Sequence, residues 1–502
     1  MLRRSAPYAT AVIALAVAGC ALQSPPKPEE IRAQALPHLG VPAAWTAGPG
    51  APGAPAAGWL ATFGNPQLDS LVREADRYNA DLQMAAARVE QAAAYAKLAG
   101  ATIYPAVNLL ARGGGKLGGD QSGLNGVGLF ASWELDIWGR VRAQAAVGAE
   151  QYDAAVADAE YARQSVAATT AKSWLLAVEA RLAKAIADDI VRASEQTVGL
   201  ARDRLRVGVG DEYDVTLAEA NLESLRDAAR QLALGYQQAQ RALETIVGRY
   251  PAAQIELPGA LPQMPGPVPV GLPSELLERR PDVIAAERRV AAAFHGIAEA
   301  KAARLPKFAL TAGLTSISSE LFVLKDHANP VLSLGANLAA PIFNGYALEA
   351  QVDIRTAEQK VAIAEYGRVG LRAFNEVEAA LSSGFAADER EAILARSVAS
   401  NVRTVDLAQI RYRVGSGDLR AVLQQNVALY GARTALLHVQ TDRLVQRVNL
   451  HLALGGSFVS GPPGETVGSA PGSARGSEIA NAPDSTRGAE IANAHAAGYR
   501  AP

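Results

Sequence analysis

The chain of 502 residues has little of what many protein classes require. Its one cysteine, Cys20, allows no disulfide within the chain. The net charge is −2 and no basic cluster stands out, which argues against nucleic acid as a partner, because binding phosphates needs a positive surface. The six histidines are scattered, without an HExxH pattern or a pair spaced i, i+4.

Motifs for catalysis are missing as well. The sequence has no P-loop, GxGxxG or GxSxG motif. Glu134 and Asp136 lie on one face of a predicted strand beside Trp133 and Trp138, which indicates a structural or lumen-facing role. We therefore expect no enzyme activity, no metal site and no cofactor.

The N-terminus has the three parts of a bacterial lipoprotein signal peptide. Residues 1–4 are basic, residues 9–18 are apolar, and VAGC at 17–20 fits a lipobox. The apolar run is too short to span a bilayer. We predict that 1–19 is removed and Cys20 acylated; the alternative is an ordinary secretory signal with a chance cysteine.

Three segments differ in composition from the rest. Residues 20–58 are rich in Pro, Ala and Gly, which predicts an acylated, mostly extended tether without a core. Residues 258–273 form a similar linker. Residues 456–502 hold few large apolar residues and are predicted to be disordered.

The remaining chain is a tandem duplication. RLRVGVGD at 204–211 corresponds to RYRVGSGD at 411–418, an offset of 207 positions. Two upstream segments, at 88–105 and 289–306, correspond with an offset of 201. A period of about 200 residues is too long for a solenoid repeat, so 59–257 and 274–455 are two whole substructures that we expect to pack as pseudo-equivalent halves.

Each repeat combines a β-hairpin with long helices. Alternation of apolar and polar residues predicts hairpins at 106–136 and 307–340. Strands of about 10 residues suit a tilted membrane-spanning strand, whereas alternation alone would favour soluble hairpins. Helical periodicity predicts helices at 66–103, 140–205, 214–247, 346–411 and 419–453. A continuous helix over 140–205 would be about 95 Å long.

Four strands cannot close a barrel, and open edges are forbidden in hydrocarbon. If these strands cross a membrane, several chains must share one barrel. Two chains would supply eight strands and a filled interior, and three would supply twelve and a wider lumen. The pattern favours a trimeric pore with a helical extension.

The sequence also resembles a known family. WLATFGNPQLDSLV (59–72), SWELDIWGRV (132–141), LLERRPDVIAAERRV (276–290), PIFNG (341–345) and the two RVGxGD turns carry the resemblance. These motifs are similar to those of the outer-membrane efflux proteins of TolC/OprM type, in their NodT-like lipoprotein branch. They cover roughly 59–455.

The resemblance implies a mainly α fold with a transmembrane β-barrel. In the family, a homotrimeric 12-stranded barrel, four strands per chain, continues as a long α-helical barrel across the periplasm. The implied function is an outer-membrane exit duct for small molecules such as drugs. The implied partners are a periplasmic adaptor protein, an inner-membrane pump of the RND type and the outer-membrane lipid of a Gram-negative bacterium. Ala21, next to Cys20, is compatible with export to that membrane.

The family's periplasmic tip matches the two turns. Gly208, Gly210, Gly415 and Gly417 match the turns that meet the adaptor. Asp214 and Tyr412 match the acid and the tyrosine of the lock that holds the entrance closed.

The chain departs from the family pattern next to that lock. Gly417 replaces an arginine of the lock, and Ala421 and Gln424 stand where relatives place two aspartate rings. We therefore add five entrance gate candidates, whose alternative role is a solvated helix end: Arg206, Asp211, Arg413, Asp418 and Gln424.

Two alternatives remain open at this stage. The same duct could serve protein secretion or metal efflux, since a passive pipe says little about its cargo. A lipid-anchored helical scaffold that conducts nothing would also fit the helices, although a scaffold does not need the four alternating strands.

Overall fold

A computed structural model describes residues 24–48, 53, 57–112, 125–318 and 331–458, which all fall in one compact unit spanning 1–460. The predicted signal peptide, Cys20 and residues 459–502 of the predicted tail lie outside the described residues.

Two repeats of helices flank one sheet. The helices are α1 (Pro28–Ala35), α2 (Pro66–Tyr78), α3 (Ala80–Ala101), α4 (Arg140–Arg206), α5 (Glu212–Ile246), α6 (Leu276–Arg279), α7 (Pro281–Ala302), α8 (Ala347–Arg413) and α9 (Leu419–Ala453). The strands are β1 (Ala106–Arg112), β2 (Asn125–Leu135), β3 (Lys307–Ser318) and β4 (Val331–Ala339). Short 3-10 helices lie at Trp59–Phe63 and Pro273–Glu275.

The duplication is visible in the helix lengths. Both α4 and α8 have 67 residues, and both α5 and α9 have 35. A helix of that first length spans about 100 Å. Each repeat therefore ends in an antiparallel hairpin of two helices, which we call hairpin 1 (α4 and α5) and hairpin 2 (α8 and α9).

The sheet joins the two repeats. It is antiparallel with the order β1-β2-β3-β4, and the central pairing of β2 with β3 sets Trp133 opposite Leu310. Directly opposite residues share a face of the sheet. One face is thus apolar over most of its length, with polar pairing only at the end where Asn125 lies opposite Ser318 and Val127 opposite Ser316: Val107, Leu109, Ala111, Val127, Leu129, Ala131, Trp133, Leu135, Phe308, Leu310, Ala312, Leu314, Leu332, Leu334, Ala336 and Leu338.

The opposite face is small and polar. Its central positions include Ser132, Thr311 and Asn337. Phe130 also lies on this face, two residues along the strand from Gly128. A Cβ at Gly128 would be 2.9 Å from the Phe130 ring, so the ring covers that glycine. The two faces therefore suit two different environments, one apolar and one wet.

The motif SWELDIWGR builds the junction between the sheet and α4. The carboxylate of Asp136 accepts hydrogen bonds from the backbone N–H groups of Val141 (3.0 Å) and Arg142 (2.9 Å), which satisfies free donors at the start of α4. Arg140 donates two hydrogen bonds to Glu134, at 2.9 and 2.8 Å. The strand and the long helix are thereby held at a fixed angle.

Each repeat has its own apolar core. In the first core, fully buried Trp174 of α4 packs among side chains of α2, α5 and α9, including Leu71, Leu243 and Val448. In the second core, Tyr366 and Val377 of α8 pack against Val283 and Val290 of α7.

The motif LLERRPD supplies a buried charge network beside the second core. Arg280 is 0% exposed and donates hydrogen bonds to Asp282 (3.0 and 2.9 Å), Glu376 (2.6 Å) and the carbonyl of Ala453 (3.0 Å). Burial by itself would raise the pKa of Asp282, but the hydrogen bonds and charges of Arg280 and Arg372 hold it below the usual value. Three segments far apart in sequence therefore meet at one guanidinium.

The prediction of a tether without a core is wrong for residues 24–48. Ile31 of α1 and Trp45 are buried in the second core, and the Trp45 indole donates to the carbonyl of Gly271 at 3.3 Å. The carboxylate of Glu378 accepts hydrogen bonds from the backbone N–H groups of Thr46 (2.9 Å) and Ala47 (2.7 Å). This segment has few apolar residues, but the second repeat supplies the surface that buries them.

Three other boundaries differ from the sequence pattern. The helix expected over 66–103 is broken at Asn79, which caps α3 by accepting from the backbone N–H of Asp81 at 2.9 Å. The linker 258–273 contributes buried Val268 and Val270 to the second core. Phe458 is buried in the first core, so the ordered chain continues into the segment that was predicted to be disordered.

A buried histidine makes the fold sensitive to acid. His451 stacks on Trp59, with ring centroids 5.4 Å apart, and burial together with the nearby charge of Arg447 lowers the pKa of His451 to about 4. Because the folded value lies below the unfolded one, this group's contribution to stability is present above pH ~6.5 and is lost as the pH falls toward 4.

We expect His451→Phe, which keeps the stacking and removes the titration, to weaken the pH dependence of unfolding. The wild type should lose about 3 kcal/mol more than the variant between pH 7 and pH 4, measured by denaturant unfolding in detergent. Exposed His38, replaced by Phe, is the matched control and should behave as the wild type. Equal losses in the wild type and His451→Phe would contradict the assignment.

Candidate functional site

The candidate site is the end of the molecule where both helical hairpins turn. Helix α4 ends at Arg206 and α5 begins at Glu212, while α8 ends at Arg413 and α9 begins at Leu419. We call these two turns, with the adjoining helix ends, the tip.

The four predicted turn glycines have two different tasks. Gly208 and Gly415 have φ of +75° and +82°, a left-handed conformation that strains other residues, although nothing lies within 4 Å of a Cβ there. Gly210 and Gly417 are needed for space, because a Cβ would come within 2.9 Å of Leu205 N and of Arg411 Cβ respectively. Together each pair closes the turn against the end of the long helix.

Two of the predicted gate residues cap helices. The Asp211 carboxylate accepts a hydrogen bond from the backbone N–H of Asp214 at 2.8 Å, and the Asp418 carboxylate accepts one from Arg420 at 3.1 Å. Aspartate at this position satisfies a donor that the first helical turn leaves free. These contacts fix where α5 and α9 start, and so fix the direction of the side chains that follow.

An apolar cluster joins the two hairpins behind the turns. It consists of Val198, Ala201, Ala218, Leu222, Tyr412, Leu419, Val422 and Leu423. The cluster draws on α4, α5, α8 and α9, so hairpins 1 and 2 of one chain are packed together at the tip.

Tyr412 is the polar centre of this cluster. Its ring is 2% exposed, and its hydroxyl donates a hydrogen bond to Asp214 Oδ2 at 3.1 Å, from α8 to α5. Burial and the adjacent Asp214 raise the pKa of Tyr412 to about 12, so the hydroxyl keeps its proton at physiological pH. The structure thus brings together the two residues that the family resemblance pairs.

Arg204 completes this contact and was missed in the sequence. Its guanidinium carbon lies 4.7 Å from the centre of the Tyr412 ring, and it donates hydrogen bonds to the carbonyls of Tyr412 (2.8 Å) and Val209 (3.1 Å). The only available signal was that Arg204 belongs to the matched turn motif, where Arg411 is its counterpart.

The remaining predicted gate residues are on the surface. Arg206 pairs with Asp203 of its own helix at 2.8 Å, and both side chains are mostly exposed. Arg413 and Gln424 are exposed, and neither makes a hydrogen bond or ion pair with a described residue.

A second contact between the hairpins was also missed. The Arg420 guanidinium of α9 donates a hydrogen bond to the Tyr213 hydroxyl of α5 at 2.6 Å. One general sign of this pair was present in the sequence: the two repeats diverge just after the turn motif, where Tyr213 in the first corresponds to Arg420 in the second.

Two other kinds of feature, metal-ligand clusters and membrane-spanning helices, are not found in the described part of the chain. Within residues 24–48, 57–112, 125–318 and 331–458, no three His, Cys, Asp or Glu side chains are grouped so that they could hold a metal ion. Over the same part of the chain, no helix combines the length and the apolar character needed to cross a membrane.

The fold and the tip place the protein in the class of envelope channel subunits with a four-stranded sheet and long helical hairpins. The profile described as "Outer membrane efflux protein" matches residues 71–249 and 272–456. The chain belongs to the outer membrane efflux protein family. The resemblance and the fold class predicted from the sequence, mainly α with four strands per chain, are thereby confirmed.

Curated relatives align along most of the chain. The pyoverdine export outer membrane protein OpmQ of Pseudomonas aeruginosa is 34% identical over 421 residues, 80% of this chain and 88% of that protein. The cation efflux system protein CusC of Escherichia coli is 30% identical over 411 residues, again 80% and 88%.

Solved structures show the same fold. The outer-membrane channel OprN has a TM-score of 0.77 and 27% identity, over 84% of this chain and 97% of its own. A CusC crystal structure has a TM-score of 0.75 and 27% identity, over 87% and 99%.

The geometry of the turns predicts a difference between two glycine substitutions. Gly415→Ala should loosen the tip by about 1 kcal/mol, because alanine is strained at a positive φ. Gly199→Ala is the control: Gly199 is exposed within α4 with no atom within 4 Å of its Cβ, and alanine there should stabilise the helix slightly. Amide hydrogen exchange of residues 411–420 measures the effect; unchanged exchange in Gly415→Ala would contradict the assigned role.

Proposed function

We propose that three copies of this chain form an outer-membrane duct that passively conducts small molecules to the exterior. The observation that carries the proposal is the sheet, which has one largely apolar face and leaves its two outer strands, β1 and β4, without a partner among the described residues.

Closing that sheet requires further copies of the chain. Backbone groups at an edge cannot stay unpaired in hydrocarbon, so β1 of one chain pairs with β4 of the next. Three chains give twelve strands, enough for an open lumen. The apolar face then meets lipid and the polar face lines the duct, which hairpins 1 and 2 extend into the periplasm.

The lipobox supports a second attachment to the same membrane. Acylation at Cys20 adds roughly 0.8 kcal/mol per buried methylene, which holds the chain at the membrane before and after the barrel forms. The anchor thus aids targeting and assembly, and it takes no part in conduction.

The tip is the proposed docking point of a periplasmic adaptor protein. Val207, Val209 and Val414 at the turns are 66%, 61% and 70% exposed, an unusual concentration of apolar side chains at a helix end. These surfaces and the turn glycines fit the ends of an adaptor's helices, which would connect the duct to an inner-membrane pump of the RND type. The Tyr412–Asp214 contact would hold the entrance closed until the adaptor docks.

The names of the relatives set the range of cargo to test. They comprise pyoverdine export, cation efflux, and efflux of antibiotics and of toluene. The pump selects the cargo in such an arrangement, because the duct itself is passive.

Deleting the gene should raise the intracellular accumulation of at least one member of a panel that contains a dye, pyoverdine, several metal cations, toluene and several antibiotics. Restoring the wild-type gene should reverse the effect, and Cys20→Ser should restore it partially. Unchanged accumulation of every compound, with no conductance of the purified protein in planar bilayers, would favour a non-conducting scaffold. Loss of a secreted protein alone would favour protein secretion.

If the Tyr412–Asp214 contact holds the entrance closed, removing the Tyr412 hydroxyl should make the channel open more often. Tyr412→Phe removes the hydrogen bond to Asp214, worth about 1 kcal/mol per chain, and keeps the ring in the apolar cluster. The open probability of single channels in planar bilayers should rise. Tyr430→Phe is the control, because the Tyr430 hydroxyl has no hydrogen bond with a described residue; equal behaviour of the two variants would refute the lock.

A further inference from the structure

Arg420 and Tyr213 form a compact contact between the two hairpins. Besides the hydrogen bond of 2.6 Å, the guanidinium carbon of Arg420 lies 5.2 Å from the centre of the Tyr213 ring. The same two side chains thus interact through a polar and a cation–π contact. Both side chains are exposed, outside the apolar cluster that packs the two hairpins together behind the turns.

The two residues occupy equivalent places in the duplication. Their numbers differ by 207, which is the offset of the turn motifs. Each is the second residue of its helix, after an aspartate cap, Asp211 for α5 and Asp418 for α9. At these corresponding positions the two copies have diverged into a complementary cation and aromatic ring.

The helix dipole by itself makes the position of Arg420 unfavourable for a cation. The start of a helix carries a partial positive charge, and the first turn of α9 contains no acidic residue to balance it. The nearby carboxylates of Asp418 and Asp214 favour the Arg420 charge, and the Tyr213 hydroxyl accepts its hydrogen bond. These neighbours together offset the disadvantage.

Adjacent residues of α5 therefore reach both helices of hairpin 2. Asp214 contacts Tyr412 at the end of α8, and Tyr213 contacts Arg420 at the start of α9. A hairpin tied at two points resists both sliding and rotation, whereas one contact permits rotation about it.

We propose that the Arg420–Tyr213 pair is a second clasp of the entrance, which must separate for the duct to open. The inference rests on the proposed function and adds two positioning residues to it. In this chain the clasp stands next to Ala421, where relatives place an acidic ring, so the closing contacts come from an arginine and a tyrosine.

The clasp is tested on the full-length protein in planar bilayers by single-channel recording. Arg420→Ala should shift the balance of open and closed states by roughly two- to fivefold per chain, and the effects of three chains multiply. Tyr213→Phe keeps the ring and loses the hydroxyl, so its effect should be smaller. The melting temperature should stay unchanged, which distinguishes a gating role from a structural one.

An exchange of the two residues gives the sharpest control. The double variant Tyr213→Arg with Arg420→Tyr rebuilds the pair in reverse and should restore the closed state. Arg192→Ala removes an exposed α4 arginine that pairs within its own helix with Asp189, away from the tip, and should behave as the wild type.

The outcomes separate the clasp from the duct itself. If Tyr412→Phe opens the channel while Arg420→Ala stays closed, the gating role of the Arg420–Tyr213 pair is refuted. The proposal of a conducting duct is then still supported. If Arg192→Ala opens the channel as much as Arg420→Ala, or if the exchanged pair fails to restore closure, a direct contact is refuted. If no variant conducts at all, the duct is refuted.

Discussion

Two unpaired strand edges set the condition on which the rest of this architecture depends. The chain makes only four strands within its described residues, and the outer ones, β1 and β4, offer rows of free backbone groups. In the proposed duct the largely apolar face of the sheet meets hydrocarbon, where such edges cannot stay open. Under that proposal, association with further copies is part of folding, and the ring that results fixes where the long helices stand. The junction contacts Asp136–Arg142 and Glu134–Arg140 transmit that geometry from the sheet into α4.

Because of the duplication, the two hairpin turns of one chain differ, and in the proposed trimer they would alternate around the entrance. Hairpins 1 and 2 have helices of equal length and turns of equal design, because the same glycines and capping aspartates recur. Their surfaces differ where they face each other: Tyr213 and Asp214 stand opposite Arg420 and Tyr412. The matching helix lengths bring the ends of the two hairpins to the same level. Their different side chains then form hydrogen bonds from one hairpin to the other. The proposed gate consists of a few polar contacts at the helix ends, so it can open at lower cost than the cores around Trp174 and Arg280.

Much of this fold follows from periodicity and special residues. The strands and long helices lie within a few residues of their predicted bounds, since alternation, glycine turns and the absence of proline are local signals. The docking of Ile31 and Trp45 could not be predicted, because their binding surface comes from residues hundreds of positions later. Asn79 breaks a helix that its neighbours favour, since its side chain caps α3 and also donates to the carbonyl of Ile246 at 2.9 Å. At the tip, the family resemblance predicted the roles of Tyr412 and Asp214. The contacts of Arg204 and Arg420 could not be predicted, because they depend on which helix ends meet in the folded chain.

The mass of the intact assembly tests the central claim most directly. The full-length protein, extracted from outer membranes in mild detergent and measured by native mass spectrometry, should have the mass of three chains plus bound lipid. A stable monomer or a dimer with a folded sheet would contradict the account, because four or eight strands leave no open lumen between them.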